Sequence, residues 1–399
     1  LTIYWKRVGG LRLEFDNGLF SIQKNFGIIY NVFVDYLFIM IRSDFVLIVP
    51  GGKVGTYQGL HKSNLTAIHT PIEALMAAEF VRKKGFSVSI IDANALNMDP
   101  SKVAETIKEI NPYLTVIFSE GNQVNASTQT MTEAGAVATA IKNVTPDNKI
   151  MITGHHPTAL PKRTLEEENV DFVACGEPYY TMEELLPALK STNTPNLGKI
   201  RGLWWKKDGL PLGNQSAPLV LDIDNEIGGF AFDLLPPLDK FYRAHNWQSL
   251  ADGRRTTSVV VQTTFGCPFH CHYCMIQSIF RPGEKASGYH EGQNSYRYLS
   301  PKIVVDHLER LINQYGFLMV RIYDELFAFN PNHMKEFCGE IINRGLAPHL
   351  NIWAYARINT TKDWMLDLMY RAGFKTLAFG VESGSKDVRD HVDKGFGQD

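Results

Sequence analysis

From residue 45 to residue 190 the sequence alternates short apolar runs with stretches that open on helix-start signals. The runs at 45–50, 87–91, 115–118, 149–153 and 171–174 read as buried strands. Thr70-Pro71-Ile72-Glu73 has the form of a capping box with Pro at the first helical position, and the helix it opens runs to a stop at Gly85. Asp99-Pro100 opens a second helix, and further helices are expected at about 130–142 and 181–190. A strand, a crossover helix and a second strand return parallel, so five such units predict a doubly wound α/β sheet. Ligands of such sheets bind beyond the carboxyl ends of the strands, here residues 51–59, 119–125, 154–157 and 176–178.

A second alternation follows residue 257. Strands are expected at 258–262, 318–323, 351–354 and 376–380, with helices from Ser300-Pro301 to about Tyr315, at about 331–343 and at about 362–372. Residues 191–256 read as a linker with a hairpin: Lys207-Asp208-Gly209 is a turn signal, and Trp204-Trp205 reads as hairpin packing. Leu235-Pro236-Pro237-Leu238 is not helical. Residues 1–44 fall outside both alternations.

The first strand of the second set leads into Cys267-Pro268-Phe269-His270-Cys271-His272-Tyr273-Cys274. Three thiolates on one tight loop can hold three irons of a [4Fe–4S] cluster, leaving the fourth iron open. A Cys3His zinc site using His270 or His272 is the other reading of the spacing, although no second ligand half stands at the usual distance. Five cysteines in all, three of them clustered, do not form a secreted disulfide framework and fit a reducing, cytoplasmic setting. With 40 Lys+Arg against 42 Asp+Glu, the net charge of −2 argues against a basic nucleic-acid binder. No apolar run is long enough for a membrane span.

This loop resembles the signature of the radical S-adenosylmethionine (SAM) superfamily, with Tyr273 in the aromatic position before the last cysteine. The resemblance implies a partial (β/α)6 TIM-type barrel over residues 257–399, with the cluster on Cys267, Cys271 and Cys274. It implies SAM contacts from Phe269 and Tyr273 on the loop, and from Asp324 and Glu325 after the second strand. Arg357 after the third strand and Glu382 and Ser383 after the fourth complete that set. Only four of about six βα units can be placed, so the barrel is expected to stop after its fourth strand, as a fragment of a longer protein would.

The unit at 45–190 resembles the cobalamin-binding domain that precedes the barrel in one large radical SAM subfamily, a Rossmann-like fold. The loops that carry the resemblance are Ser119-Glu120-Gly121-Asn122, Gly154-His155-His156-Pro157 and Gly176-Glu177-Pro178. It implies cobalamin contacts from Gly55, Tyr57, Ser119, Gly121, Asn122, Gly154, His155, His156, Gly176 and Glu177. The linker segment Tyr242–Trp247 is similar to this subfamily as well. None of the 12 histidines stands two residues after an Asp, so the D-x-H-x-x-G motif that supplies the lower cobalt ligand elsewhere is missing. The lower axial position is then water, empty or a side chain from residues 51–61.

The resemblance implies an enzyme: a cobalamin-dependent radical SAM methyltransferase acting on an unactivated carbon or phosphorus of a small-molecule substrate. A 5′-deoxyadenosyl radical would activate the substrate, methylcobalamin would donate the methyl group, and flavodoxin or ferredoxin would supply electrons. A cyclase or ring-rearranging enzyme shares the same two domains. A cobalamin carrier or sensor with an inactive barrel is the reading from a different class.

Overall fold

The computed structural model describes residues 13–16, 19–22, 42–51, 66–121, 123–124, 126–191, 195–251, 253 and 257–396. The chain divides into two compact units, residues 1–42 and 43–399. The first holds an antiparallel pair, β1 (Leu13–Asp16) and β2 (Leu19–Ile22), with Leu13 opposite Ile22.

The second unit opens with five parallel strands: β3 (Phe45–Val49), β4 (Val88–Asp92), β5 (Leu114–Phe118), β6 (Ile150–Thr153) and β7 (Phe172–Ala174). Their spatial order is β4-β3-β5-β6-β7, the flavodoxin-like arrangement. Helices α1 (Ile72–Lys83), α2 (Ala93–Leu96), α3 (Pro100–Ile110), α4 (Ala126–Val144), α5 (His155–Ala159), α6 (Pro161–Glu167) and α7 (Tyr179–Lys190) make the crossovers. The expected hairpin forms, with Asp208 and Gly209 both at positive φ in its turn. Its strands β8 (Leu203–Lys207) and β9 (Leu210–Gly213) add antiparallel to β7 and make a seven-stranded sheet. The first sheet therefore extends past residue 190 into the segment read as linker. Trp205 is buried in this extension, as hairpin packing requires.

The second sheet is parallel and sequential: β10 (Ser258–Val261), β13 (Leu318–Ile322), β14 (Leu350–Ala356) and β15 (Phe374–Phe379). Helices α8 (Pro301–Tyr315), α9 (Pro331–Asn343) and α10 (Asp363–Arg371) connect its strands. A short antiparallel pair, β11 (Thr264–Phe265) and β12 (Arg297–Tyr298), brackets the cysteine loop. Among the described residues no helix is long and apolar enough to cross a membrane.

The capping box is not used as such. Pro71 occupies the N-cap of α1 and makes no side-chain cap. The Thr70 hydroxyl instead accepts the backbone N–H of Val260 in β10, at 2.8 Å. Thr70 is 2% exposed, and its oxygen satisfies a buried strand donor 190 residues away rather than a helix end. Asp99 does cap its helix, accepting from Lys102 N at 2.9 Å.

One apolar cluster runs from the first sheet to the second without a break, joining Phe45, Leu75 and Phe80 to Val259, Val305 and Phe337. Burying side chains of this size is worth about 1.5–3 kcal/mol each. The linker closes against both sheets. Tyr242 donates to Asp92 at 2.9 Å, Ile68 and Arg243 form a bridge, and Gln248 donates to the carbonyl of Asn351 at 2.9 Å.

Candidate functional site

The cysteine loop leaves β11 through Gly266, at φ 91°. A Cβ there would stand 2.2 Å from the Ser295 carbonyl, so only glycine lets the two segments pass. Side chains from outside the loop then fix its backbone. Asn294 donates to the carbonyls of Cys267 (3.0 Å) and Phe269 (2.7 Å), and Gln277 donates to that of Cys267. Cys267 and Cys271 are half-buried, Cys274 is exposed, and all three thiols are free. Burial pushes the Cys267 thiol up to about 12 and raises Cys274 as well. Binding a metal therefore expels protons from this loop.

Among the described residues no three His, Cys, Asp or Glu groups converge as a single-ion site requires. A four-iron cluster seats each thiolate on a different iron, so it does not require the three thiols to converge on one point.

Four of the expected SAM contacts, Phe269, Tyr273, Arg357 and Glu382, gather at this loop. The Arg357 guanidinium lies 3.7 Å from the Phe269 ring centroid, and its Nη1 is 3.6 Å from the Cys271 sulfur. Arg357 is buried and its Nη2 has no hydrogen-bond partner. Tyr273 and Glu382 meet on the exposed side. Lys394 donates to Glu382 at 2.8 Å and holds its carboxyl below the usual range, and lies 3.4 Å from the Tyr273 hydroxyl. Glu382 is at φ 66°, a left-handed conformation that aims this loop. Ser383 accepts from Arg389 through its carbonyl at 2.8 Å.

Asp324 and Glu325 separate in role. Asp324 is 1% exposed and accepts from Thr263 N (2.7 Å) and Thr263 Oγ1 (2.6 Å). The same hydroxyl is 2.9 Å from His333 Nε2. Asp324 thus braces the end of β10. Burial lifts its carboxyl to about 6, against the hydrogen bonds from Thr263. Between about pH 4 and 6 the unfolded chain ionises this group while the folded one keeps it neutral. Stability falls as pH rises through that window, by roughly 2–3 kcal/mol. Asp324→Asn should flatten this part of a denaturation-midpoint-versus-pH curve, and an unchanged slope would refute the assignment. Glu325 is also raised by burial, while the charges of Arg321 and His155 oppose the shift.

On the first sheet, Gly154 is at φ 138°, and a Cβ there would meet the Ser119 carbonyl at 2.5 Å. The strand ends β5 and β6 come this close because both loops are small. Ser119 is fully buried, its hydroxyl donating to the Ser127 carbonyl at 3.0 Å. Gly121 accepts from the Tyr323 hydroxyl at 3.3 Å, a contact that reaches the second sheet. His155 is 4% exposed and its Nδ1 lies 2.9 Å from Glu120 Oε2. Burial alone would lower its pKa, but the charge and hydrogen bond of Glu120 outweigh that and the net shift is upward. His156 sits 3.1 Å from Thr128 Oγ1. Gly176, at φ 98°, lies near the Ile279 carbonyl. Glu177 is engaged in a buried pair with Arg297, at 2.7 Å, and accepts from Val220 N at 3.0 Å. Gly55, Tyr57 and Asn122 lie outside the described residues, as does all but Gly51 of the segment 51–61 named as one source of a lower axial group. Cys338 is buried in the core, and the Cys175 sulfur is 3.7 Å from the Thr158 carbonyl, consistent with core thiols.

Two cavities lie where these pieces meet. One, of about 750 Å³, is lined from the first sheet by Gly51, Glu120 and Gly121 and from the second by Val260, Arg321 and Tyr323. The other, of about 550 Å³, is lined by Thr153, His155 and Glu177 and by Phe265, Ile279 and Phe280. Glu73, Phe118, Glu120 and Tyr323 border both. Burial, then the nearby charge of Glu120, raises Glu73 to about 7. The sequence placed Glu120 on a resemblance-carrying loop and Glu73 in a capping box without giving either a site role, and gave no sign of Tyr323, Arg297 or Lys394. The one signal for Glu73 was a lone carboxylate in the apolar run Pro71–Ala78.

Comparison with known proteins finds two family models along the chain. Residues 62–186 match the model for the B12 binding domain, and residues 261–398 match the model for the radical SAM superfamily. An uncharacterized methyltransferase of Pyrococcus horikoshii, PH0819, is 29% identical over 327 residues, covering 82% of this chain and 63% of its own. The anaerobic magnesium-protoporphyrin IX monomethyl ester cyclase of Cereibacter sphaeroides is 24% identical over 312 residues, covering 77% of this chain and 46% of its own. The chain thus spans about half to three-fifths of the length of these relatives. Among solved structures, the radical SAM methyltransferase TsrM from Kitasatospora setae superposes with a TM-score of 0.61 at 19% identity, over 87% of this chain and 61% of that one. The cobalamin-dependent SAM radical enzyme OxsB superposes with a TM-score of 0.62 at 16% identity, over 89% and 46%. A B12-binding unit followed in the same chain by a radical SAM unit, with the three-cysteine loop at the head of the second sheet, places this protein in the cobalamin-dependent radical SAM family, whose cofactors are cobalamin, SAM and a [4Fe–4S] cluster.

Proposed function

We propose that the protein methylates an unactivated carbon or phosphorus centre of a small-molecule substrate. The observation that carries the proposal is the pair of cavities sharing one wall. The carboxyl-end loops of the first sheet and the strand-end Tyr323 of the second border the same space. Residues 45–190 are read as the cobalamin domain, 191–256 as the linker and 257–399 as the radical SAM domain. Strands β10, β13, β14 and β15 are read as consecutive strands of a partial barrel.

The residues present fit the three cofactors. Cys267, Cys271 and Cys274 are free thiols that would hold the cluster. Arg357, with one unpartnered nitrogen beside Cys271, would meet an anionic group of SAM, and Phe269, Tyr273, Glu325, Glu382 and Ser383 would orient the rest. Asp324 would act one step back, by fixing Thr263. The close approach at Gly154, with Ser119, Gly121, His155, His156 and Gly176, would let backbone stand against the corrin. Gly55, Tyr57 and Asn122 would contribute from the neighbouring loops. Glu177 holds Arg297 and would shape the site at its edge. Together the cofactors supply a substrate radical and a transferable methyl group. The chain's own part is to seat them, exclude water and hold the Glu73 carboxyl up at about 7, where burial and the charge of Glu120 disfavour its ionised form.

The test is anaerobic reconstitution with iron, sulfide, cobalamin and SAM carrying a labelled methyl group, with reduced flavodoxin or ferredoxin as electron donor. Methyl transfer predicts reductant-dependent 5′-deoxyadenosine together with label recovered in the cobalamin fraction. 5′-Deoxyadenosine without that label would support the second reading, a cyclase, which the Cereibacter relative favours. Cobalamin retained with neither product would point to a carrier or sensor.

A further inference from the structure

The cysteine loop is held mainly by side chains. Among the described residues its one internal backbone bond runs from Cys274 N to the Cys271 carbonyl, at 3.0 Å. Its first half is fixed by Asn294, whose Nδ2 donates to the carbonyls of Cys267 and Phe269 at 3.0 and 2.7 Å. Only one orientation of that amide satisfies its neighbours. Its Oδ1 accepts from Arg281 Nη2 at 2.9 Å, and a guanidinium can only donate while a backbone carbonyl can only accept. Arg281 also pairs with Glu284 Oε2 at 3.3 Å, and Glu284 Oε1 accepts from Ser295 N at 2.7 Å and Ser295 Oγ at 2.9 Å. Glu284 is 2% exposed. Glu284, Arg281, Asn294 and the adjoining Ser295 thus close a ring, and the Ser295 carbonyl is the one that Gly266 passes.

This clamp brackets one peptide. Asn294 takes the carbonyls of the peptides before and after the Pro268–Phe269 link. The N–H of that link lies close enough to the Cys267 sulfur to favour its thiolate. Pro268 has no N–H, so Phe269 supplies the first backbone donor after Cys267. A trans peptide is a rigid plane, and fixing the planes on both sides leaves the middle one little freedom to turn. Hydrogen bonds to the sulfurs of an iron–sulfur cluster are among the levers that set its reduction potential. A donor at a ligand sulfur stabilises the more negative, reduced cluster, so losing it makes reduction harder.

We infer that Asn294 is a positioning residue for the iron–sulfur cluster: it keeps the Phe269 N–H at the Cys267 sulfur, and Arg281 fixes its amide. This rests on the cluster reading above and adds to it a control over how readily the cluster takes an electron. Asn294 lies well beyond the last cysteine of the loop, so the spacing of the cysteines gives no sign of it.

The test uses the full chain reconstituted anaerobically with iron and sulfide, without SAM. It reads the fraction of cluster reduced at a fixed reductant poise, from the electron paramagnetic resonance signal, and the rate of iron loss to a chelator. Asn294→Leu keeps the size and removes the donor. It should show a smaller reduced fraction and lose iron about 10–100-fold faster, the usual cost of removing an outer-shell partner of a metal ligand. Arg281→Gln, on an exposed side chain, should move both readouts in the same direction by less, and it keeps the proposal testable if Asn294→Leu misfolds. A folded Asn294→Leu that matches the wild type in both readouts overturns the assignment. Faster iron loss with an unchanged reduced fraction marks a merely structural residue and overturns it as well. A wild-type chain that takes up no four-iron cluster overturns the cluster reading instead.

Discussion

Cys271→Ala should reduce SAM cleavage to background and strip iron and sulfide from the reconstituted protein, while cobalamin retention stays at the wild-type level. Three thiolates are the minimum that leaves one open iron, so two cannot hold the cluster in the same state. The loss is one of chemistry rather than of folding. Cys271 is half-buried on a loop whose backbone is held by Asn294 and Gln277, and its own side chain makes one contact, with Arg357 Nη1 at 3.6 Å. Substitution there should cost about 0.5–1.5 kcal/mol, the net worth of one hydrogen bond. The matching control is Cys338→Ala. That thiol is buried against Phe337 and Met334 in the core, and its removal should lower stability yet leave iron content unchanged. Joint loss of cobalamin and iron in Cys271→Ala would mean that the two sites are not separable.

Glu177→Ala should be among the most destabilising single changes in the chain. Arg297 is 6% exposed, and besides Glu177 it donates to the Val220 carbonyl and packs near the Phe265 and Phe280 rings. Removing the carboxylate strands a buried guanidinium, which costs about 3–5 kcal/mol. It also frees the N–H of Val220. The double change Glu177→Leu with Arg297→Met removes both charges and should recover much of the loss. Chemical denaturation of the two variants beside the wild type checks the sign. A Glu177→Ala protein as stable as wild type would show that the pair is not what ties β12 to the end of β7, and would restore Glu177 as a direct cofactor contact.

The regular part of this fold was legible because it follows local rules. Apolar runs of four to six residues marked the strands of both sheets, Asp99 capped the helix it preceded, and Asp208-Gly209 made the hairpin turn. The cysteine loop was legible for the same reason: its spacing is contiguous. What stayed hidden depends on partners far apart in sequence. Thr70 looked like a helix cap because nothing local announces Val260. Glu177 looked like a loop residue at a strand end because Arg297 is 120 residues away. The hairpin was visible, but its addition to β7 was not, since an edge strand carries no label for its neighbour. Glu120 and His155 were each placed on the right loop, and their pairing emerges only from the approach that Gly154 permits.

The shared wall between the cavities has a thermodynamic consequence. Glu73, Phe118, Glu120 and Tyr323 cannot repack for one guest without changing the room offered to another. If a corrinoid held by the first-sheet loops shifts that wall and the shift is felt at the cysteine loop, it alters SAM affinity by some factor, and linkage requires the reverse effect to be equal. Titrating SAM with and without bound corrinoid, and corrinoid with and without SAM, should therefore return the same ratio. The two halves of the chain would then report on each other's occupancy at equilibrium, before any bond is made or broken.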